Sequence, residues 1–311
     1  MNPRGGTELQ VELLEKHADK NLLDQVQITT SIPEKIPLHP TKINILWQHN
    51  SYDQDNLAPW FKNKDNHKKY DWYVFNSHWN YEKFRMVFDI PTHKSLVIKN
   101  AIDKIEPRDL NYKKGDPIKL IYTSTPWRGL NVLLAAMQLV ENPLVHLDVY
   151  SSTQLYGDQF KLANDDKFKD LYDQAAKIPN VTYIGYKPNE FIKDNLKNYQ
   201  VFAYPNIWEE TSCVTAIEAM AAGLYTVVTN YGALFETCND FAVYTPYEKD
   251  FVRLAKTFAS VIETVAVNLH EEHVKQHLQL QIDYMNRFYS WEKRGNTWNK
   301  FLKGIINARS K

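Results

Sequence analysis

Two glutamates in one short segment have the types and spacing to do chemistry. Glu210 and Glu218 are separated by seven residues, in a stretch that runs from a predicted strand to Gly223. Glu210 falls in the loop before a predicted helix, and Glu218 lies about two turns later. At a rise of ~1.5 Å per residue, the two carboxylates are on the order of 10 Å apart. That distance is about the span from a sugar to the ribose of a nucleotide sugar.

The start of the same predicted helix is a candidate anion site. The first N–H groups of a helix have no partner within it, so they can bind a diphosphate. The residues in question are Thr211, Ser212, Cys213 and Val214. Arg128 precedes a glycine and another predicted helix, which favours a charge-assisted contact with an anion. Each of these residues also has an alternative role. Glu210 could only complement the helix dipole, Glu218 could be a solvated glutamate, and Arg128 could be a surface arginine.

Two patterns typical of metal sites are also present. His270, His273 and His277 share one face of a predicted helix and could bind zinc, although a charged surface helix explains them better. Asp53 and Asp55 form an Asp-x-Asp pair, which is expected about once by chance in a chain of 311 residues. We therefore expect no metal and no other cofactor.

Strand-like and helix-like segments alternate along the chain, which is typical of parallel sheets with helical crossovers. The predicted strands are 44–48, 71–75, 94–98, 119–122, 145–150, 181–184, 200–204 and 225–229. The predicted helices are one that begins after Gly5-Gly6, 80–88, 130–140, 214–222 and most of the chain from residue 250. Thr7 and Gln10 fit a capping box, and Ser77 could cap the helix 80–88. The polar segment 106–117 is bounded by prolines and predicts a linker between two lobes.

Composition excludes several classes of protein. The chain has 37 Lys and Arg residues against 37 Asp and Glu, so a broad basic surface for DNA is not expected. No apolar run approaches the roughly 20 residues of a membrane span. The start lacks the apolar core of a signal peptide, and the two cysteines cannot form a disulfide framework, so we expect a cytoplasmic protein. The segment 298–311 could lie on a membrane surface, but packing across the lobes is favoured.

The string 204–223 as a whole resembles the E-x7-E segment of the retaining GT-B glycosyltransferases of family 4, also called glycosyltransferases group 1. The resemblance covers most of the chain and is best over residues 118–236. Other stretches that resemble family motifs are 5–6, 98–103, 125–130, 232–236, 290–291 and 298. The chain departs from the family at Ser124 and Thr125, where most members have an arginine, and Arg128 replaces a lysine.

This resemblance implies an α/β, GT-B fold with two Rossmann-like lobes, a cleft between them and a C-terminal helix that crosses back. The acceptor lobe would span 1–110, the donor lobe 111–285 and the crossing helix 286–311. Because no predicted strand precedes Gly5, we expect either that the acceptor lobe is shortened or that the start of the chain is truncated.

The resemblance also implies transfer of a hexosyl or pentosyl group from a nucleoside-diphosphate sugar to an acceptor hydroxyl, with retention. Catalytic roles would fall to Glu210, His49 and Arg128. The donor would contact Glu218 and Arg128, together with Gly5, Gly6, Gly185 and residues 211–214. His49 could equally be structural, and Gly5 with Gly6 could be a plain turn.

The acceptor stays open: a glycan, a lipid-linked sugar, a protein or a modified nucleobase would all fit, and the oligomeric state is not predicted. Two alternatives to transfer are a nucleotide-sugar-binding protein that lost catalysis and a GT-B-type epimerase or phosphorylase.

Overall fold

The computed structural model describes residues 5–309, apart from the side chains of Leu155 and Tyr156. Contacts among the described residues divide the chain into two units. The four-strand unit contains residues 6–103, 209–213 and 289–309, and the six-strand unit contains Gly5 and residues 104–208 and 214–288. The short segment 209–213, which holds Glu210, thus groups with the first hundred residues.

The four-strand unit has one parallel sheet, in which the strands follow chain order from one edge to the other. The strands are β1 (Val26–Thr30), β2 (Ile43–Gln48), β3 (Trp72–Phe75) and β4 (Ser95–Val97). The last three lie where the sequence predicted strands. The sequence reading missed β1, because Val26 and Ile28 are its only apolar residues and an edge strand pairs on one side alone.

Four helices belong to the same part of the chain. They are α1 (Gly6–His17), α2 (Lys20–Leu23), α3 (Ala58–Lys62) and α4 (His78–Phe88). The predicted cap of α4 is confirmed, since the Ser77 side chain accepts a hydrogen bond from the backbone N–H of Asn80. The predicted capping box of α1 is wrong. The Gln10 side chain is fully buried and instead exchanges two hydrogen bonds with the backbone of Ala101.

The six-strand unit has a second parallel sheet. Its strands are β5 (Ile118–Tyr122), β6 (Val145–Val149), β7 (Val181–Tyr183), β8 (Val201–Tyr204), β9 (Tyr225–Thr229) and β10 (Val243–Thr245). Their order across the sheet is β10-β9-β8-β5-β6-β7. All but β10 were predicted from apolar runs. β10 was not predicted, although it is as long as β4 and β7, which were predicted.

Eight helices complete the six-strand unit. They are α5 (Leu130–Met137), α6 (Asp158–Asn164), α7 (Lys169–Ala175), α8 (Asn189–Asn195), α9 (Val214–Ala221), α10 (Leu234–Cys238), α11 (Phe251–Asn268) and α12 (Glu272–Phe288). Helix α9 carries Glu218 and follows β8. Three buried or half-buried side chains, Arg108, Gln281 and Asn286, donate hydrogen bonds to backbone carbonyls within residues 220–224 at 2.9–3.1 Å.

The predicted linker 106–117 contains no helix or strand, yet it is more than a spacer. Arg108 is buried there, and its backbone N–H donates to the Ala222 carbonyl while its Nε donates to the Gly223 carbonyl. Cationic groups at a helix C-terminus are favoured by the helix dipole. The linker therefore holds the end of the helix that carries Glu218.

The last helix, α13 (Trp291–Arg309), packs its apolar side against the core of the four-strand unit. Trp298, Leu302 and Ile305 pack in one core with residues of α1 and β2. The apolar face that could have lain on a membrane is thus covered by protein. Among residues 5–309, no helix has both the length and the apolar composition that a bilayer span requires.

Candidate functional site

The order of strands in the six-strand sheet reverses between β5 and β8, so the carboxyl ends of these two neighbours lie side by side. Ligands of open α/β sheets bind at such a switch point. The turn that contains Arg128 follows β5, and residues 205–208 follow β8. The fold therefore brings Arg128 to the edge where a ligand is expected.

A glycine allows the two loops to meet. Gly129 has φ of +111°, and a Cβ at this position would lie 2.1 Å from the Pro205 carbonyl oxygen. Only glycine permits this backbone conformation and this close approach without strain. Arg128 is half-buried just before it, and its Cζ lies 6.0 Å from the centroid of the Trp208 ring. An arginine at that distance from an indole face makes a cation–π contact, which helps to orient the guanidinium.

Trp208 and Asn206 were not predicted as site residues. Asn206 is completely buried; its side-chain oxygen accepts the Trp208 N–H at 3.0 Å, and its side-chain nitrogen donates to the Trp208 carbonyl. This pair of bonds closes a tight turn after β8. A sequence signal for this turn exists. Asn206 comes directly after a predicted strand and Pro205, and asparagine in such a position favours a turn.

Glu218 is 2% exposed on α9. Burial raises the pKa of its carboxyl group to about 7, although the charge of Lys193 and hydrogen bonds from Asn189 oppose the shift. The Asn189 side-chain nitrogen lies 3.4 Å from each carboxylate oxygen, so one amide bridges both. No local pattern indicates Asn189, which starts α8, because its partner lies 29 positions further along the chain.

The segment 209–213 carries Glu210, which is 5% exposed. The hydroxyl of the next residue, Thr211, donates to the His49 carbonyl at 2.6 Å and accepts a hydrogen bond from the Asn76 side chain at 3.1 Å. All of these contacts lie within the four-strand unit. The backbone near Glu210 is therefore tied to the residues that follow β2 and β3.

His49 follows β2 and is buried against Trp47, with ring centroids 4.5 Å apart. Burial lowers the pKa of the imidazole to about 3, so the ring is neutral at pH 7. Its Nε2 atom is buried and has no hydrogen-bond partner among residues 5–309. His49 can therefore act as a neutral hydrogen-bonding group, but it does not supply a positive charge.

Glu209 lies next to Glu210, and only the spacing to Glu218 favours Glu210 as the first carboxylate of the E-x7-E segment. Desolvation raises the pKa of Glu209, the charge of Asp53 adds to the shift, and Lys83 and a hydrogen bond from Tyr52 oppose it. The Lys83 ammonium lies 5.4 Å from the centre of the Tyr52 ring and 5.3 Å from that of Trp79. Glu209 thus belongs to a cluster of charged and aromatic groups in the four-strand unit.

The remaining predicted donor-binding residues have these positions. Helix α9 begins at Val214, so Thr211, Ser212 and Cys213 precede it. Gly185 follows β7 with φ of +77°. Gly5 is buried, and Gly6 is the first residue of α1.

The candidate metal ligands have other neighbours. His277 Nε2 lies 3.0 Å from the Phe241 carbonyl, and His270 pairs with Glu271 at 3.2 Å. Asp53 and Asp55 are exposed. Within residues 5–309, no three His, Cys, Asp or Glu side chains are grouped so that they could hold a metal ion.

The family model described as "Glycosyl transferases group 1" matches residues 104–266, which is more than half of the chain. The chain belongs to this family of glycosyltransferases. The matched region contains Arg128, Asn189, Glu210 and Glu218. The predicted membership of group 1 is thereby confirmed. A search of the curated proteins found no significant match.

Solved structures similar to this chain are glycosyltransferases of low sequence identity. A glycosyltransferase from Rickettsia africae ESF-5 has a TM-score of 0.67 at 14% identity, with 98% of this chain and 83% of that one covered. Sucrose-phosphate synthase from Thermosynechococcus elongatus has a TM-score of 0.67 at 15% identity, with 91% and 74% covered. HepE of Anabaena, solved with UDP and glucose, has a TM-score of 0.63 at 15% identity, with 85% and 72% covered. With the two parallel sheets, these likenesses confirm the predicted α/β, GT-B fold.

Proposed function

We propose that the protein transfers a sugar from a nucleoside-diphosphate sugar to an acceptor hydroxyl, as a family 4 enzyme that retains the anomeric configuration. The observation that carries the proposal is the buried carboxyl of Glu218, in the region matched by the family model. A buried acid with so strongly raised a pKa costs stability, and perturbed groups of this kind cluster at functional sites. Ribose hydroxyls are donors of the kind that would satisfy it.

The donor would bind in the six-strand unit. In this proposal, the Arg128 guanidinium, oriented by Trp208, neutralises the diphosphate, and N–H groups at the start of α9 assist it. Glu218, bridged by Asn189, accepts the ribose hydroxyls. Gly185 belongs to the same donor side. Arg128 and these N–H groups would stabilise the negative charge that develops on the leaving diphosphate as its bond to the sugar breaks, and electrostatic stabilisation of this kind is usually the largest contribution to catalysis.

Glu210 and His49 are the groups proposed for the transfer itself. The carboxylate of Glu210 would stabilise the positive charge that develops on the sugar, together with the donor's own phosphate. His49 is neutral and would contribute a hydrogen bond. The acceptor is a hydroxyl compound, and a glycan, a lipid-linked sugar, a protein or a modified nucleobase remain candidates. We further propose a cytoplasmic protein that requires no metal.

A thermal-shift screen with UDP, ADP and GDP, followed by the corresponding nucleotide sugars, tests the donor class. We expect one base to raise the unfolding temperature well above the others. UDP is the first probe because HepE, whose fold is similar, was solved with UDP and glucose. No shift with any of these nucleotides would contradict the proposal.

The Glu210→Gln variant tests the catalytic assignment. We expect it to lower kcat by roughly tenfold or more while the Kd of the nucleoside diphosphate stays close to that of the wild type, because the interaction matters where charge develops. The anomeric configuration of the product, read by NMR, tests retention. Donor consumed without acceptor would point to an epimerase or a hydrolase instead.

A further inference from the structure

A continuous chain of buried polar groups begins at Thr211, the residue after Glu210. The Thr211 hydroxyl donates to the His49 carbonyl at 2.6 Å and accepts from the Asn76 side-chain nitrogen at 3.1 Å. The Asn76 side-chain oxygen in turn accepts from Asn80 at 3.2 Å, and Asn80 also donates to the Asn50 carbonyl at 3.4 Å. Thr211, Asn76 and Asn80 are all buried.

The bonding directions in this chain are determined. A hydroxyl has one hydrogen, and Thr211 donates it to the His49 carbonyl. The Thr211 hydroxyl oxygen must therefore accept the hydrogen bond from Asn76. Asn76 must then present its nitrogen to Thr211 and its oxygen to Asn80. A polar network buried in this way stabilises one arrangement when every member is paired and is costly when one is missing.

The chain connects the ends of two neighbouring strands to the segment 209–213. His49 and Asn50 directly follow β2, Asn76 directly follows β3, and the two strands are paired in register. Thr211 is β-branched, so its χ1 angle has few alternatives, and two hydrogen bonds fix the one it adopts. Consecutive Cα atoms are ~3.8 Å apart. A fixed Thr211 therefore leaves the backbone of Glu210 little freedom.

We propose that Thr211, held by the His49 carbonyl and by Asn76, is a positioning residue that fixes Glu210 for sugar transfer. The inference rests on the catalytic role proposed for Glu210. Thr211 then has two roles. Its backbone N–H belongs to the proposed donor site, and its side chain positions the carboxylate of the preceding residue. It also explains why three polar side chains are buried where apolar packing would otherwise suffice.

The Thr211→Val variant tests the proposal, because valine keeps the shape and the backbone N–H but removes the hydroxyl. We expect kcat to fall between about tenfold and a hundredfold, since small misplacements of a catalytic group have effects of that size. The donor KM and the Kd of UDP, or of ADP or GDP if one of them binds instead, should stay within about twofold. Thr211→Ser restores the hydroxyl and should recover most of the rate.

Thr226→Val is the matched control. Thr226 is fully buried in β9, and its hydroxyl donates to the Leu224 carbonyl at 3.2 Å, so the control loses a comparable hydrogen bond in the six-strand unit. It should lower stability but keep kcat. Asn76→Ala removes the second bond to Thr211 and the bond from Asn80, but it leaves the bond from Thr211 to the His49 carbonyl. It should lower kcat less than Thr211→Val, and it serves if that variant does not fold.

A wild-type kcat in Thr211→Val would overturn the proposal, as would an equal loss in the Thr226 control. Amide hydrogen exchange across 209–213 gives a readout independent of turnover. It should become faster in Thr211→Val and stay unchanged in Thr226→Val, and unchanged exchange in both would also overturn the inference. Absence of turnover in the wild type with every nucleotide sugar would contradict the proposed function instead, and the exchange comparison would then decide the role of Thr211.

Discussion

At the scale of single residues, the pKa of the Glu218 carboxyl can be tested directly, because burial raises it to about 7, within the pH range of binding experiments. An ionised carboxylate accepts hydrogen bonds from two hydroxyls, whereas the protonated form loses part of that capacity. Ionisation in the free protein increases as pH rises through about 7. We therefore expect the Kd of the nucleoside diphosphate to decrease between pH 6 and pH 8, as measured by calorimetry.

Glu218→Gln separates this effect from titration of the ligand. The variant has no carboxyl at this position, whereas the phosphates of the ligand titrate equally with both proteins. We expect weaker binding and a flatter pH profile in the variant, while kcat at saturating donor changes less. Parallel pH profiles for the two proteins would remove Glu218 from the donor site.

Arg128 is expected to contact the phosphates rather than the nucleoside. A charge-assisted hydrogen bond is worth about 1.5–3 kcal/mol, so Arg128→Ala should raise the Kd of UDP by roughly tenfold or more. Binding of uridine should change much less. Arg287→Ala, an exposed arginine on α12, is the control and should leave both constants unchanged. An equal loss for UDP and uridine would contradict a phosphate contact.

Local spacing indicated Glu210 and Glu218, and a flanking glycine indicated Arg128, whereas His49 was indicated only by the family resemblance. Their partners could not be inferred in the same way. The Thr211 hydroxyl bonds to a carbonyl 162 positions away, and Trp208 meets Arg128 only because β5 and β8 are neighbours. Such contacts depend on the order of strands in the sheet, which no local pattern contains.

At the scale of elements, the end of α9 is held by side chains from outside the helix. Helices leave their last carbonyls without intrahelical partners. Asn286 donates to the carbonyl of Ala221, the last residue of α9, and Arg108 from the segment 106–117 donates to the Gly223 carbonyl just beyond it. Burial lowers the pKa of Arg108 to about 10, which still leaves it charged at neutral pH. We expect Arg108→Ala to lower the free energy of unfolding by about 1–3 kcal/mol in denaturant titrations.

Two controls accompany this element-scale prediction. Arg287→Ala removes an exposed arginine on α12 and should change the free energy of unfolding by no more than about 0.5 kcal/mol. Arg108→Lys keeps the charge and should recover part of the loss. Unchanged stability in Arg108→Ala would show that the segment 106–117 is the plain linker that its composition predicts.

The sequence predicted eight of the ten strands described, including the three-residue strands β4 and β7, but not β1, which has only two apolar residues, or β10. β2, β3, β5, β6, β8 and β9 were recognised from buried aliphatic and aromatic runs, whereas β1 and β10 were not. The capping box at Thr7 was wrong for a different reason. Gln10 has the right spacing, but the buried backbone of Ala101 offers it two hydrogen bonds, and tertiary contacts outweigh a local motif.

At the scale of the whole molecule, alternation of strands and helices was enough to predict an α/β fold with two parallel sheets. It did not predict that residues 209–213 group with the first hundred residues, whereas the family resemblance implied that the last helix crosses back. That grouping follows from the contacts of Thr211 and from the packing of Trp298 and Leu302. It means that a variant in either short segment acts on the four-strand unit, whatever its place in the sequence.

The last prediction concerns metal. A glycosyltransferase must neutralise the charge of the leaving diphosphate, and either a divalent cation or protein groups can do so. Here Arg128 stands at the switch point, and α9 offers its N-terminal N–H groups. We expect transfer to continue in excess EDTA, and the double variant Asp53→Asn, Asp55→Asn to keep its donor affinity. If EDTA abolished turnover and Mg²⁺ or Mn²⁺ restored it, a bound cation and not Arg128 would have to neutralise the leaving diphosphate.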